Sequence, residues 1–177
     1  MRSYMQLFGG LAPLRLQERL RGTPGTVPLF DTWVEYLAAL GVPDYSADIP
    51  RSEQSNALML AAFERIGVAL CDRAVENDLR GSTPVASRAV FRFDLPAGGS
   101  VTDAEFATRF DRMHRLFLGY PASLAPTDRV TRFRTLFRDA AARRAGATPV
   151  RSNFNASEAG WAVVCYGLIR HPEFQLY

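Results

Sequence analysis

His114 and His171 are the two imidazoles in this chain of 177 residues, and Met113 stands beside the first. A histidine pair, or a histidine with a methionine, can ligate a haem iron. Their settings argue for plainer roles. His114 reads as a boundary residue on a Phe-rich helix, and His171 precedes a proline at a helix C-terminus, where the dipole favours it. A zinc hydrolase wants three ligands with a recognisable pair on one helix, and HExxH is missing. The expectation is therefore no metal and no cofactor, with non-covalent haem through His114, His171 or Met113 as the alternative.

Nucleophiles are no better arranged. Cys71 and Cys165 form neither CxxC nor a zinc spacing. They read either as two buried thiols, the commoner state of such cysteines, or as one long-range disulfide. GxSxG is absent, and Gly98-Gly99-Ser100 lacks the frame and the lysine of a phosphate loop. Asp103 and Glu105 fit the first turn of a helix better than acid–base work. No catalytic residue is assigned, and the reading leans away from an enzyme.

The arginines are the strongest remaining signal. Lys plus Arg number 21 against 18 Asp plus Glu, a formal charge of +3, and every basic side chain is Arg. A high-GC genome accounts for that usage; selection for planar bidentate donors is the functional alternative, and it requires clustering. Arg109, Arg112 and Arg115 recur every third residue on one predicted helix, and Arg129, Arg132 and Arg138 lie on the next. On antiparallel neighbours these would form a basic strip for phosphate or an acidic partner. Interleaved Asp103, Asp111, Asp128 and Asp139 offer local pairing instead, and no aromatics separate the arginines for base stacking. A solvated, salt-bridged face is favoured over nucleic-acid binding.

The elements that must carry these residues are mostly helical. Asp31 to Leu40 repeats apolar residues at Trp33, Tyr36, Leu37 and Leu40, with Gly41 as a stop. The longest predicted helix runs over 52–79 with Met59, Phe63, Ile66, Leu70 and Ala74 as its stripe. Ala61, Ala62, Gly67 and Ala69 would let a neighbouring helix come close. Arg88 to Leu95 alternates, with Ala89, Phe91, Phe93 and Leu95 on one side, as in a half-buried strand or an extended arm. Its partner is open among the Leu14 region, Val27 to Phe30, and the Phe174 to Tyr177 tail.

Thr102 and Glu105 make a capping box, with Val101 and Phe106 as its staple. Phe106, Phe110, Met113 and Phe117 then descend one face to a stop near Gly119. Pro126 suits the first turn of the next helix, whose stripe is Val130, Phe133, Leu136 and Phe137. Asn155 and Glu158 form a second box before Trp161, Val164, Cys165 and Leu168. Pro172 ends that helix and an aromatic tail follows.

The fold class predicted is mostly α: one irregular bundle of about five helices with one short extended or β segment. Residues 1–177 read as a single domain, 1–30 as an irregular N-terminal arm and 31–177 as the helical core. The first residues, MRSYMQLFGGLAPL, make a poor signal peptide and are too short to span a bilayer. They suit a cytoplasmic chain or one whose leader has been removed.

The stretch WAVVCYGLIRHPEFQLY, Trp161 to Tyr177, resembles the closing segment of bacterial exported domains of unknown function associated with cytochrome-c modules in planctomycetes and myxobacteria. Those ends read roughly W-x-x-V-C-x-A-L-L-x-x-x-E-F, and Leu136-Phe137 is also similar. The chain departs from them in lacking CxxCH. The resemblance implies an envelope location and a place as one subunit of a larger exported assembly, and it carries over no catalytic residue.

The expected function is a non-catalytic interaction or scaffold subunit of a bacterial multi-protein assembly, with periplasm or cell envelope favoured slightly over cytoplasm. Other protein subunits are the expected partners, and a homo-oligomer is compatible. Tyr4, Phe8, Trp33, Tyr36, Phe174 and Tyr177 are the aromatics expected to be left for a partner. The alternatives are a redox-associated subunit holding haem non-covalently and an anion or nucleic-acid binder using the arginine face.

Overall fold

The structure is a computed structural model that describes residues 57–95, 101–146 and 154–176, with the backbone of 17–18 and 27–28. It is mostly helical. The predicted helices over 3–8 and 31–40, and with them Tyr4, Phe8, Trp33, Tyr36 and Tyr177, lie outside the described residues. Helix α1 spans Ala57–Ala74 and continues as one π-helical stretch, Val75–Arg80. Helix α2 is Asp103–Leu118, α3 Arg129–Gly146, α4 Ala156–Ile169 and α5 Pro172–Leu176. Among the described residues no helix is long and apolar enough to cross a membrane.

Both capping boxes form. Thr102 accepts from the Glu105 N–H while Glu105 accepts from the Thr102 N–H, satisfying two donors that a helix start leaves open. Asn155 and Glu158 do the same for α4. Gly119 closes α2 in the left-handed region at φ 82°, donating to the Arg115 carbonyl.

Helix α4 is the shaft of the core. Ser157, Gly160, Trp161, Val164, Cys165, Leu168 and Ile169 are all buried, so it is covered on nearly every side. Trp161 lies among Phe93, Phe106 and Phe137, with ring centroids 4.8, 5.3 and 5.1 Å away. Two glycines set how closely α3 approaches. A Cβ on Gly160 would stand 2.6 Å from the Phe137 ring, and one on Gly167 would stand 2.9 Å from the Phe133 ring. Gly67 gives α1 the same intimacy, with Tyr166 and Ile169 of α4 against it. A disulfide between Cys71 and Cys165 ties α1 to α4 across a Cα–Cα distance of 5.8 Å.

The Arg88–Leu95 segment is a bent arm, neither a ladder strand nor fully extended: the Arg92 and Phe93 N–H groups donate back to the Val90 and Phe91 carbonyls at 3.2 and 2.8 Å, and its burial breaks the alternation. Val90 is buried beside Phe91 and Phe93, while Ala89 and Leu95 are only half-buried. The cause is Asp78. Its fully buried carboxylate accepts three successive arm N–H groups, from Ala89, Val90 and Phe91, at 3.2, 2.7 and 2.9 Å. The Asn77 amide adds a fourth bond at 2.8 Å. One side chain thus gathers three successive backbone N–H groups that would otherwise need acceptors of their own. Of the segments considered as its partners, Val27–Pro28 pairs with Gln17–Glu18 instead, Gln17 opposite Pro28 and Glu18 opposite Val27 in an antiparallel two-residue ladder, and Phe174 lies in a helix.

Two further expectations change. Pro172 does not lead into an open tail; it opens α5, where a missing N–H costs nothing. Phe174 is consequently buried against Phe63 and Phe117, with centroids at 6.1 and 5.9 Å, and is not available to a partner. Leu136 turns out at the exposed edge of α3 rather than in its buried stripe.

Replacing Asp78 by Ala would orphan two buried donors and one half-buried one, each worth about 1–3 kcal/mol, so we expect a loss of about 3 kcal/mol. In thermal melts that is a fall of roughly 6–12 °C. Gly160→Ala should cost about 1–3 kcal/mol by overpacking, with Phe137→Leu recovering part of it in the double variant.

Candidate functional site

The densest cluster of ionisable groups lies where α2, α3 and α5 meet. Asp103 at the start of α2 reaches Arg134 and Arg138 of α3, so the two helices run antiparallel. That brings His114, late in α2, to Arg129 at the start of α3. The connection between them delivers Tyr120, and α5 delivers Glu173. Asp111 fixes this connection by accepting from the Ala122 N–H at 2.7 Å and from Arg115 Nε at 2.7 Å.

Arg129 is the hub. Its Nη2 donates to Glu173 Oε1 at 2.7 Å and its Nη1 to Oε2 at 3.2 Å, a bidentate pair. Nη1 also donates to the Tyr120 hydroxyl at 2.9 Å and points at His114 Nε2, 3.2 Å away. The Tyr120 hydroxyl donates in turn to Glu173 Oε2. His114 Nδ1 lies 2.7 Å from the Tyr120 carbonyl oxygen, which can only accept. Nδ1 therefore carries the proton, and the Nε2 lone pair faces Arg129. His171 Nδ1 accepts the Glu173 N–H at 3.3 Å.

These contacts set the protonation states. The hydrogen bond from Arg129 draws Glu173 down to about 2, against the opposing effect of burial. Burial pushes His114 down, and the nearby Arg129 charge adds to it. His171 is lowered for the same two reasons in the same order. Burial raises Tyr120, helped by its bond to Glu173. At neutral pH the cluster is one ion pair, a protonated phenol and two neutral imidazoles.

A cleft of about 390 Å³ opens beside it, lined by Pro126, Asp128, Arg129, Arg132, Phe133 and His171. Of the cluster only Arg129 and His171 face it. Arg129 is committed to Glu173, and Arg132 to Asp128 at 2.6 Å. None of the described residues lining it is a Ser, Thr or Cys. The arrangement clasps α5 to the α2–α3 corner.

Met113 and His114 are fully buried, so His114 is no boundary residue. Both its ring nitrogens are engaged, Nδ1 with the Tyr120 carbonyl and Nε2 facing Arg129. Among the described residues no three of His, Cys, Asp or Glu form a possible metal-ligand group. The predicted basic strip does not form as one surface either. Arg129 points inward, because its bidentate carboxylate sits on α5 beneath it. Arg115 pairs with Asp111, Arg132 with Asp128, and Arg138 with Asp103. Arg109 and Arg112 lie on another part of α2, against the 85–94 arm. Cys71 and Cys165 are joined to each other.

Sequence reading missed Tyr120, Glu173 and Asp78. The available signals were slight: Tyr120 follows a helix-stopping glycine, and Glu173 follows a first-turn proline. Comparison with protein-family models, with curated proteins and with solved structures found no match to this chain.

The pH dependence follows from the shifts. Both histidines are lowered on folding, so their stabilisation is full above about 6.5 and declines as pH falls below it. The Glu173 contribution is full above about 4.5 and is lost as pH falls towards 2. Urea melts between pH 7.5 and 3 should show both declines, and Glu173→Gln should lessen the lower one, to which the lowered Glu105 and Asp111 also contribute. At pH 7 that variant leaves a buried guanidinium unpaired and should cost about 3 kcal/mol, which Arg129→Met added to it should largely restore.

Proposed function

We propose that the chain is a non-catalytic interaction subunit of a larger protein assembly working in an oxidising compartment such as the cell envelope. The observation that carries this reading is how the ionisable groups of the central cluster are spent. His114, Tyr120, Arg129 and Glu173 bind one another, and the His114 Nδ1, Tyr120 hydroxyl and Arg129 Nη protons serve structural bonds. A catalytic site would keep a group titrating near neutrality and aimed at substrate.

The bridge between Cys71 and Cys165 supports the compartment, since reducing cytosol rarely keeps such a bond. Exposed Leu58, Leu60 and Val68 on α1, with Leu124 in the α2–α3 connection, are apolar surface suited to a partner.

Native mass spectrometry of the protein purified from its own host, with an absorption spectrum of the same sample, tests the proposal. The expected result is a complex with co-purifying subunits, no chromophore, and no free thiol under denaturing, non-reducing conditions. A lone monomer carrying haem or metal mass would overturn it.

A further inference from the structure

A second cleft, of about 490 Å³, lies between the 85–94 arm and the outer side of α2. Its apolar wall is Val85, Phe93 and Ala104, and its basic wall is Arg109 and Arg112. These two arginines differ from those around them. Arg115, Arg129, Arg132, Arg134 and Arg138, on the same two helices, each have a carboxylate within 3.0 Å. Among the described residues Arg109 has only Glu105 as a carboxylate, at 3.8 Å, and its largely buried guanidinium has an Nη1 with no acceptor. Arg112 bonds to a backbone carbonyl, that of Arg92, at 3.0 Å.

The carboxylates at the rim are already engaged. Glu105 Oε2 holds the Thr102 N–H and hydroxyl at the capping box, and Asp94 pairs with Arg88 at 3.1 Å. With Asp94 neutralised by Arg88, the cleft carries Arg109 and Arg112 against Glu105, one positive charge in excess. The Phe93 ring lies 5.7 Å from the Arg109 guanidinium carbon, fixing that fork beside an apolar surface.

We infer that this cleft is a carboxylate-binding site, taking a monoanionic carboxylate on a short apolar stem. The carboxylate accepts from Arg109 and Arg112, and the stem lies against Phe93 and Val85. One negative charge balances the cleft, whereas a phosphate dianion would overshoot and meet Glu105. The same chemistry is offered by a free aliphatic acid and by an acidic side chain of a bound peptide.

Isothermal titration of the full chain with butyrate, with a capped Leu-Glu-Leu tripeptide and with inorganic phosphate tests the site. We expect the carboxylates to bind more tightly than phosphate, and Arg109→Gln and Arg112→Gln each to weaken them by about tenfold or more. Arg115→Gln should leave binding unchanged, and melts of each variant report folding separately. A tripeptide binding about tenfold tighter than butyrate assigns the site to an acidic protein segment, and equal affinities assign it to a free acid. Phosphate binding tighter than butyrate would overturn the inference. So would no binding by the folded chain, or equal binding by a folded Arg109→Gln variant.

Discussion

The contact on which this structure depends is the meeting of α3 with α4, where phenylalanine rings enter the space that glycines leave open. Phe137 lies over Gly160 and Phe133 over Gly167. Seven residues separate the two glycines, two turns of helix, so they present one continuous notch to α3. Because α3 sits so close, Trp161 is sealed under Phe106 and Phe137. Phe110 then reaches Phe133 with centroids 4.8 Å apart, which sets α2 against the pair. The aromatic core follows from that spacing.

Around this core the protein buries charge in two different ways. Asp78 has backbone N–H groups and one amide as its counterparts, and no cation pairs with it among the described residues. Its binding shapes an otherwise irregular arm, and the π-helical stretch that carries it turns the side chain inward. Arg129 and Glu173 instead neutralise each other and recruit Tyr120 and His114 to satisfy the donors left over. The first device holds local backbone, and the second holds two distant segments together. Both meet the same requirement, that a desolvated charge must find its full complement of bonds.

Helix positions and helix ends were legible in the chain because their determinants are local. Thr102 with Glu105, Asn155 with Glu158, and Gly119 each act within a single turn. The Phe106, Phe110, Met113 and Phe117 face was equally plain, since its period is that of the helix. The clasp was not legible, because Glu173 lies 44 residues from Arg129 and nothing near either names the other. Arg129 looked like a member of a surface series until α5 folded back over it. The arm misled for a related reason. Alternation at 89–95 reports a preference for extended backbone, yet Asp78 at its side decides which residues turn inward. Cys71 and Cys165 left two readings open, because pairing depends on how α1 crosses α4.

That crossing has a mechanical side. The disulfide joins positions 94 residues apart, and α2, α3 and their connection all lie within the loop it closes. Tension entering along α1 and leaving beyond α4 would pass through one covalent S–S link. The Phe-lined helices would carry no load, and only residues outside positions 71–165 could be drawn out. Pulled from either side of the bridge, the oxidised chain would keep the 71–165 loop shielded; reduction would expose the whole loop to the pull.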